Sequence, residues 1–143
     1  MTVRIDDAAY RRRMIAGLER GLGKQGALLV GHIKKKINRS QPISYGNTGR
    51  AYGKDPSKPG EPPKKVTEVL LQSIAFAVET DDTGITLSVG TNVPYGKYLE
   101  LGTSNEDGSP KMAPRPFLRP SLAERFERLV NGVARELRRE LGS

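Results

Sequence analysis

The chain contains no cysteine, no tryptophan and a single histidine, and only 6 % of its residues are aromatic. Without cysteine there are no disulfides and no thiolate-held metal centres, which fits an intracellular protein among others. His32 has no second histidine or cysteine with which to share a metal, and its expected place is the flank of a helix. Carboxylates clustered at metal or acid–base spacing are also missing, so no catalytic residue, metal or cofactor is expected. No apolar run approaches the ~20 residues that span a bilayer, and no membrane partner is expected. Residues 1–7 are charged and lack the apolar stretch of a secretory signal.

What is present is charge, glycine and proline. The 143 residues fit one domain, 1–143. A hydrophobic fraction of 36 % supports a modest core, and 16 glycines with 10 prolines predict much loop. Such a chain often gains stability by oligomerising. Net charge is +8, unevenly spread. Residues 1–40 carry +7, 41–66 carry +3, 67–110 carry −6 and 111–143 carry +4. An acidic middle between basic ends suits nucleic-acid contact, or a basic face of one subunit meeting an acidic face of the next, or solvated helix faces.

The patterning predicts an α+β fold. Ile15, Leu18, Leu22, Leu29, Ile33 and Ile37 form one stripe of an amphipathic helix over about 10–38, which Asp6 or Asp7 can cap. Five glycines inside it each cost ~1 kcal/mol, so the helix needs a partner; they permit close approach of one, or a break near 21–26. Residues 39–66 read as a long Pro/Gly segment, with a small hairpin expected around Tyr45 and Tyr52 and order gained from neighbours. A short helix follows over 67–73. The period then changes to two, with Ile74, Phe76 and Val78 answered across a turn at 81–84 by Ile85, Leu87 and Val89, an antiparallel hairpin with one buried face. Pro94 opens a short helix that Gly102 closes, and 104–111 reads as a polar loop. Arg115 to Leu118 is expected to extend beside the hairpin as an edge. Ser121 and Glu124 form a capping box for a terminal helix with the stripe Leu122, Phe126, Leu129, Val130, Val133, Leu137 and Leu141.

Two motifs invite stronger readings. Gly21-Leu22-Gly23-Lys24-Gln25-Gly26 matches G-x-G-x-x-G, but a helical pattern precedes it where dinucleotide binding needs a strand. Lys34, Lys35, Lys36 and Arg39 cluster near a helix end, where the dipole favours cations; they are candidates for DNA, lumen or partner contact.

The densest segment runs from Pro94-Tyr95-Gly96-Lys97-Tyr98-Leu99-Glu100-Leu101-Gly102-Thr103 to Lys111-Met112-Ala113-Pro114-Arg115-Pro116-Phe117-Leu118-Arg119-Pro120. It defines shape and carries no reacting pair. Tyr95, Tyr98, Glu100, Met112, Arg115, Phe117 and Arg119 are the candidate packing or interface residues. The tyrosines are read first as core, Phe117 as core, and Glu100 as a partner for Arg115 or Arg119.

These two elements, their order and Pro59-Gly60-Glu61-Pro62-Pro63 resemble the tail-completion, or head–tail joining, proteins of long-tailed bacteriophages. The resemblance covers most of the chain. Thr67-Glu68-Val69-Leu70, where the family often has Thr-Gly-x-Leu, and a longer spacer at 104–110 depart from it. It implies a non-enzymatic virion subunit, assembled in the host cytoplasm, that forms a ring in the neck. Expected partners are other copies of itself, the capsid connector, and the tail terminator or tail tube, with packaged DNA passing through the lumen. The other reading is a basic DNA-binding protein acting outside the virion.

Overall fold

The computed structural model describes residues 2, 6–39, 68–112 and 114–142, and the protein is an α+β fold. The long Pro/Gly segment, with Tyr45, Tyr52 and Pro59 to Pro63, lies outside the described residues, as do the side chains of Arg39 and Met112.

Helix α1 spans Asp7–Arg39. Its 33 residues, ~50 Å at 1.5 Å each, are unbroken through the glycines. Asp6 starts it, its carboxylate accepting the Ala9 N–H at 3.0 Å. Helix α2 spans Glu68–Ser73. Strands β1 (Ala75–Asp81) and β2 (Gly84–Gly90) pair antiparallel, with Phe76 opposite Val89 and Val78 opposite Leu87. That register puts Phe76, Val78, Leu87 and Val89 on one face, as the alternation predicts, but the face is half-buried rather than buried, and Phe76 is 38 % exposed. The Asp81 carboxylate accepts the N–H groups of Thr83 and Gly84 and the Thr83 hydroxyl, fixing the turn. These bonds hold its pKa below the ordinary aspartate value.

Helix α3 spans Pro94–Leu101, β3 Thr103–Ser104, β4 Pro110–Met112 and α4 Leu118–Glu140. The expected polar loop is therefore a small ladder, β3 against β4, closed by a turn in which Asp107 accepts the Ser109 N–H at 2.9 Å. Residues 114–116 form no strand beside the hairpin, contrary to expectation; the Arg115 N–H bonds Leu99 O at 2.6 Å, tying the segment to α3.

The core is Leu29, Ile33 and Ile37 of α1 with Leu70, Ile74 and Phe117. Each such side chain contributes about 1.5–3 kcal/mol on burial. Helix α4 runs antiparallel along α1, and the hairpin lies on another side of α1. The glycines explain both contacts. A Cβ on Gly21 would lie 3.0 Å from Val133 Cα, and one on Gly17 2.9 Å from Glu140 Cβ. One on Gly26 would lie 2.6 Å from the Phe76 ring. Three of the five glycines of α1 thus sit where α4 and the hairpin press closest, and Gly31 has no such neighbour. Gly23 faces open space.

Candidate functional site

The two signature elements meet where α3 abuts the start of α4. Val93 precedes α3 and Pro94 opens it, its missing N–H costing nothing there. Gly96 is buried beneath Thr91, where a Cβ would come 2.5 Å from the threonine methyl. Gly102 ends the helix at φ 74, its N–H on Tyr98 O at 2.8 Å, a backbone that favours glycine.

Glu100 is the centre of this junction. Its Oε2 accepts the Phe117 N–H at 2.7 Å and the Leu118 N–H at 3.0 Å, and its Oε1 accepts the Arg119 N–H at 2.9 Å. A helix leaves its first N–H groups without intrahelical partners. Here one carboxylate takes three of them, and the next residue, Pro120, has no N–H to satisfy. Negative charge also suits the positive end of the helix dipole. The capping box at Ser121 and Glu124 is therefore not what starts α4. The helix begins at Leu118 with Phe117 as its first flanking residue, and Ser121 is buried inside it, its hydroxyl donating to Phe117 O at 2.6 Å. Glu100 was expected to pair with Arg115 or Arg119; both its oxygens are engaged in this cap, one of them on the Arg119 backbone N–H. The sequence signal was the helix-start residue pair Pro116 and Pro120 around Phe117, seventeen residues from Glu100 and invisible to local capping rules.

Phe117 is fully buried, as expected. The tyrosines are not core. Tyr95 is 38 % exposed and Tyr98 53 %, with Leu101 at 52 % beside them, while Leu99 turns inward onto the core. An eight-residue helix has one buried face, and Gly96 and Leu99 occupy it. A recess of about 470 Å³ lies between Tyr98, Leu101, Lys97 and Lys111. Arg115 is half-buried and Arg119 exposed at the mouth of a second recess, of about 540 Å³.

Lys34, Lys35 and Lys36 are consecutive on α1 and so project to different sides of it. Lys36 and His32 turn toward α4 and share Glu124, with His32 Nε2 2.9 Å from its Oε2, while Lys35 is exposed. The hydrogen bond from Lys36, then that from His32, holds the Glu124 carboxyl below its ordinary value. Further along the seam, Lys24 Nζ lies 2.7 Å from Glu136 Oε1, and this bond holds Glu136 low. Arg20 pairs with the Glu140 carboxylate and Arg13 donates to its carbonyl at 2.6 Å. The G-x-G-x-x-G stretch lies mid-helix in this seam, with no strand before it and no phosphate loop.

The stripe on α4 divides. Leu129 packs on the core, whereas Leu122, Phe126 and Val130 are 44, 57 and 46 % exposed in one line. Leu122 borders a groove of about 390 Å³ that Leu29, Ile33, Leu87, Val89 and Leu118 also line. Among the described residues there is no group of carboxylates, histidines or cysteines able to hold a metal, and no helix long and apolar enough to cross a membrane. Comparison with protein-family models, with curated proteins and with solved structures gave no match.

Proposed function

We propose that this chain is a structural subunit of a bacteriophage neck, a ring-forming protein that joins the DNA-filled head to the tail. The observation that carries the reading is the junction at Glu100. Its residues are those on which the resemblance to tail-completion proteins rests, and each has a shape-forming task. Glu100 caps α4, Pro120 removes a donor, Phe117 fills the core and Gly102 turns the chain. Tyr98 and Leu101 are left facing outward, as are Leu122, Phe126 and Val130 on α4. Apolar surface of this kind marks sites of association. Neighbouring rings, on the connector side and on the tail side, are the partners that would cover it.

Disrupting the gene in its phage and imaging the lysate by negative-stain electron microscopy tests this. DNA-filled heads beside separate tails of normal length are expected. Intact infectious particles would overturn the reading.

The second reading, a basic protein binding DNA outside the virion, draws on the excess of cations along α1 and α4. It requires duplex affinity that falls steeply with salt, by the release of several counterions. No binding at low salt removes it.

A further inference from the structure

We infer that copies of this chain associate head to tail, the acidic hairpin of one docking on the basic seam of the next. The inference rests on the ring reading above and supplies the ring's own contact.

The two surfaces lie on different sides of α1. The hairpin covers Gly26 and meets Glu19, whose carboxylate accepts the Thr80 hydroxyl at 2.6 Å. Lys24, two residues from Gly26, points to roughly the opposite side. Residues 74–92 carry Glu79, Asp81 and Asp82, all exposed, and no lysine or arginine. The outward face of the hairpin is otherwise small: Ala75, Ala77, Thr86 and Ser88. A partner can therefore lie close against its backbone. Among the described residues neither outer edge of the hairpin pairs with another strand.

The seam has the opposite charge and more of it than it uses. Arg20 pairs with Glu140, Lys24 and Arg139 with Glu136, and Lys36 with Glu124. Glu124, Arg128, Arg135 and Arg139 follow at spacings of four, seven and four, one stripe of α4. Arg128 and Arg135 on that stripe are exposed and have no partner among the described residues. Leu28, one turn from both Lys24 and His32, is 53 % exposed in the middle of the seam. A flat, acidic hairpin would cover that leucine and neutralise the surplus cations.

Two unlike patches on one chain make a heterologous contact, which closes into a ring when the rotation between copies permits. Hairpin on hairpin, or seam on seam, would set like charges together. Duplex DNA is the competing occupant of the seam and is distinguished by the test.

The test uses the full chain freed of nucleic acid, in sedimentation velocity at low salt. One variant carries Glu79→Lys with Asp82→Lys, leaving Asp81 to hold the turn. The other carries Arg128→Glu with Arg135→Glu. Circular dichroism melting establishes that both fold. The unaltered chain is expected to self-associate with concentration and less so with salt. Each variant alone should associate roughly tenfold or more weakly. An equimolar mixture should regain association, since a basic hairpin then meets an acidic seam. Unaltered behaviour of either variant, a monomeric parent chain, or a mixture that stays apart would overturn the contact. So would loss of duplex binding by the seam variant with no effect of mixing. Any of these together with separated heads and tails on gene disruption would remove this interface and leave the neck reading standing.

Discussion

Around Ile33, α1 buries Leu29, Ile33 and Ile37 against Leu70, Ile74 and Phe117. Three turns earlier, around Gly21, the same helix has no buried large apolar side chain. There it meets α4 through Gly17 and Gly21, with Gln25 lying over Gly132, and through ion pairs to Glu136 and Glu140. One half is held by removing apolar surface from water. The other is held by backbone proximity and charge. The halves should therefore fail to opposite substitutions: the first to loss of volume, the second to its gain.

The largest effect is expected at Phe117. Phe117→Ala should cost about 3–5 kcal/mol, since the ring is fully buried and α1, α2 and α4 converge on it. Chemical denaturation measures this, and a variant as stable as the parent would remove Phe117 from the core. Next comes Glu100→Ala, which leaves three amides of α4 without their acceptor, for a loss of about 2–4 kcal/mol. Glu100→Gln should lose less, because one amide oxygen remains to accept. Equal losses for the two would mean that the carboxylate's second oxygen and charge add nothing.

In the other half the sign of a methyl group decides. Gly21→Leu should destabilise by about 1–3 kcal/mol, because even its Cβ meets the Val133 backbone at 3.0 Å. Gly23→Ala, two residues on and facing open space, should stabilise by up to about 1 kcal/mol through helix propensity alone. Thermal melting of the pair is the comparison. The same sign for both would mean that the glycines of α1 are not there for close approach.

Much of this architecture was legible in the sequence. The period-two alternation marked the hairpin and its turn, and the stripe from Ile15 to Ile37 marked a helix that the structure runs from Asp7 to Arg39. Phe117 between prolines was readable as core. The start of α4 was not, because its cap comes from Glu100, a residue distant in sequence, while Ser121 and Glu124 offered a local pattern that suited the same helix. Nor was the exposure of Tyr98, since an aromatic in a short helix looks alike whether it fills a core or faces a partner. The continuity of α1 through its glycines depended on α4 and the hairpin supplying the stability that propensity withholds.

The smallest effect expected concerns acid. Glu136 and Glu124 both have pKa values lowered by the cations opposite them, Lys24 for the first and Lys36 for the second. A carboxylate with a lowered native pKa adds stability that is complete above the ordinary glutamate value of 4.5 and is lost as pH falls through the native one. Between pH 8 and 6 these pairs should therefore contribute no change. Below 4.5 the glycine half of the seam should loosen first, since no large apolar side chain is fully buried there to hold it. Amide hydrogen exchange, corrected for its intrinsic pH dependence, should show lost protection over residues 13–25 and 132–140 while Ile33 and Ile37 remain protected. Glu136→Gln should lower protection of that half at neutral pH and flatten its response to acid. Uniform loss across α1 would mean that the two halves of the helix pair melt as one unit, and that the division between apolar and charged contact has no consequence for its opening.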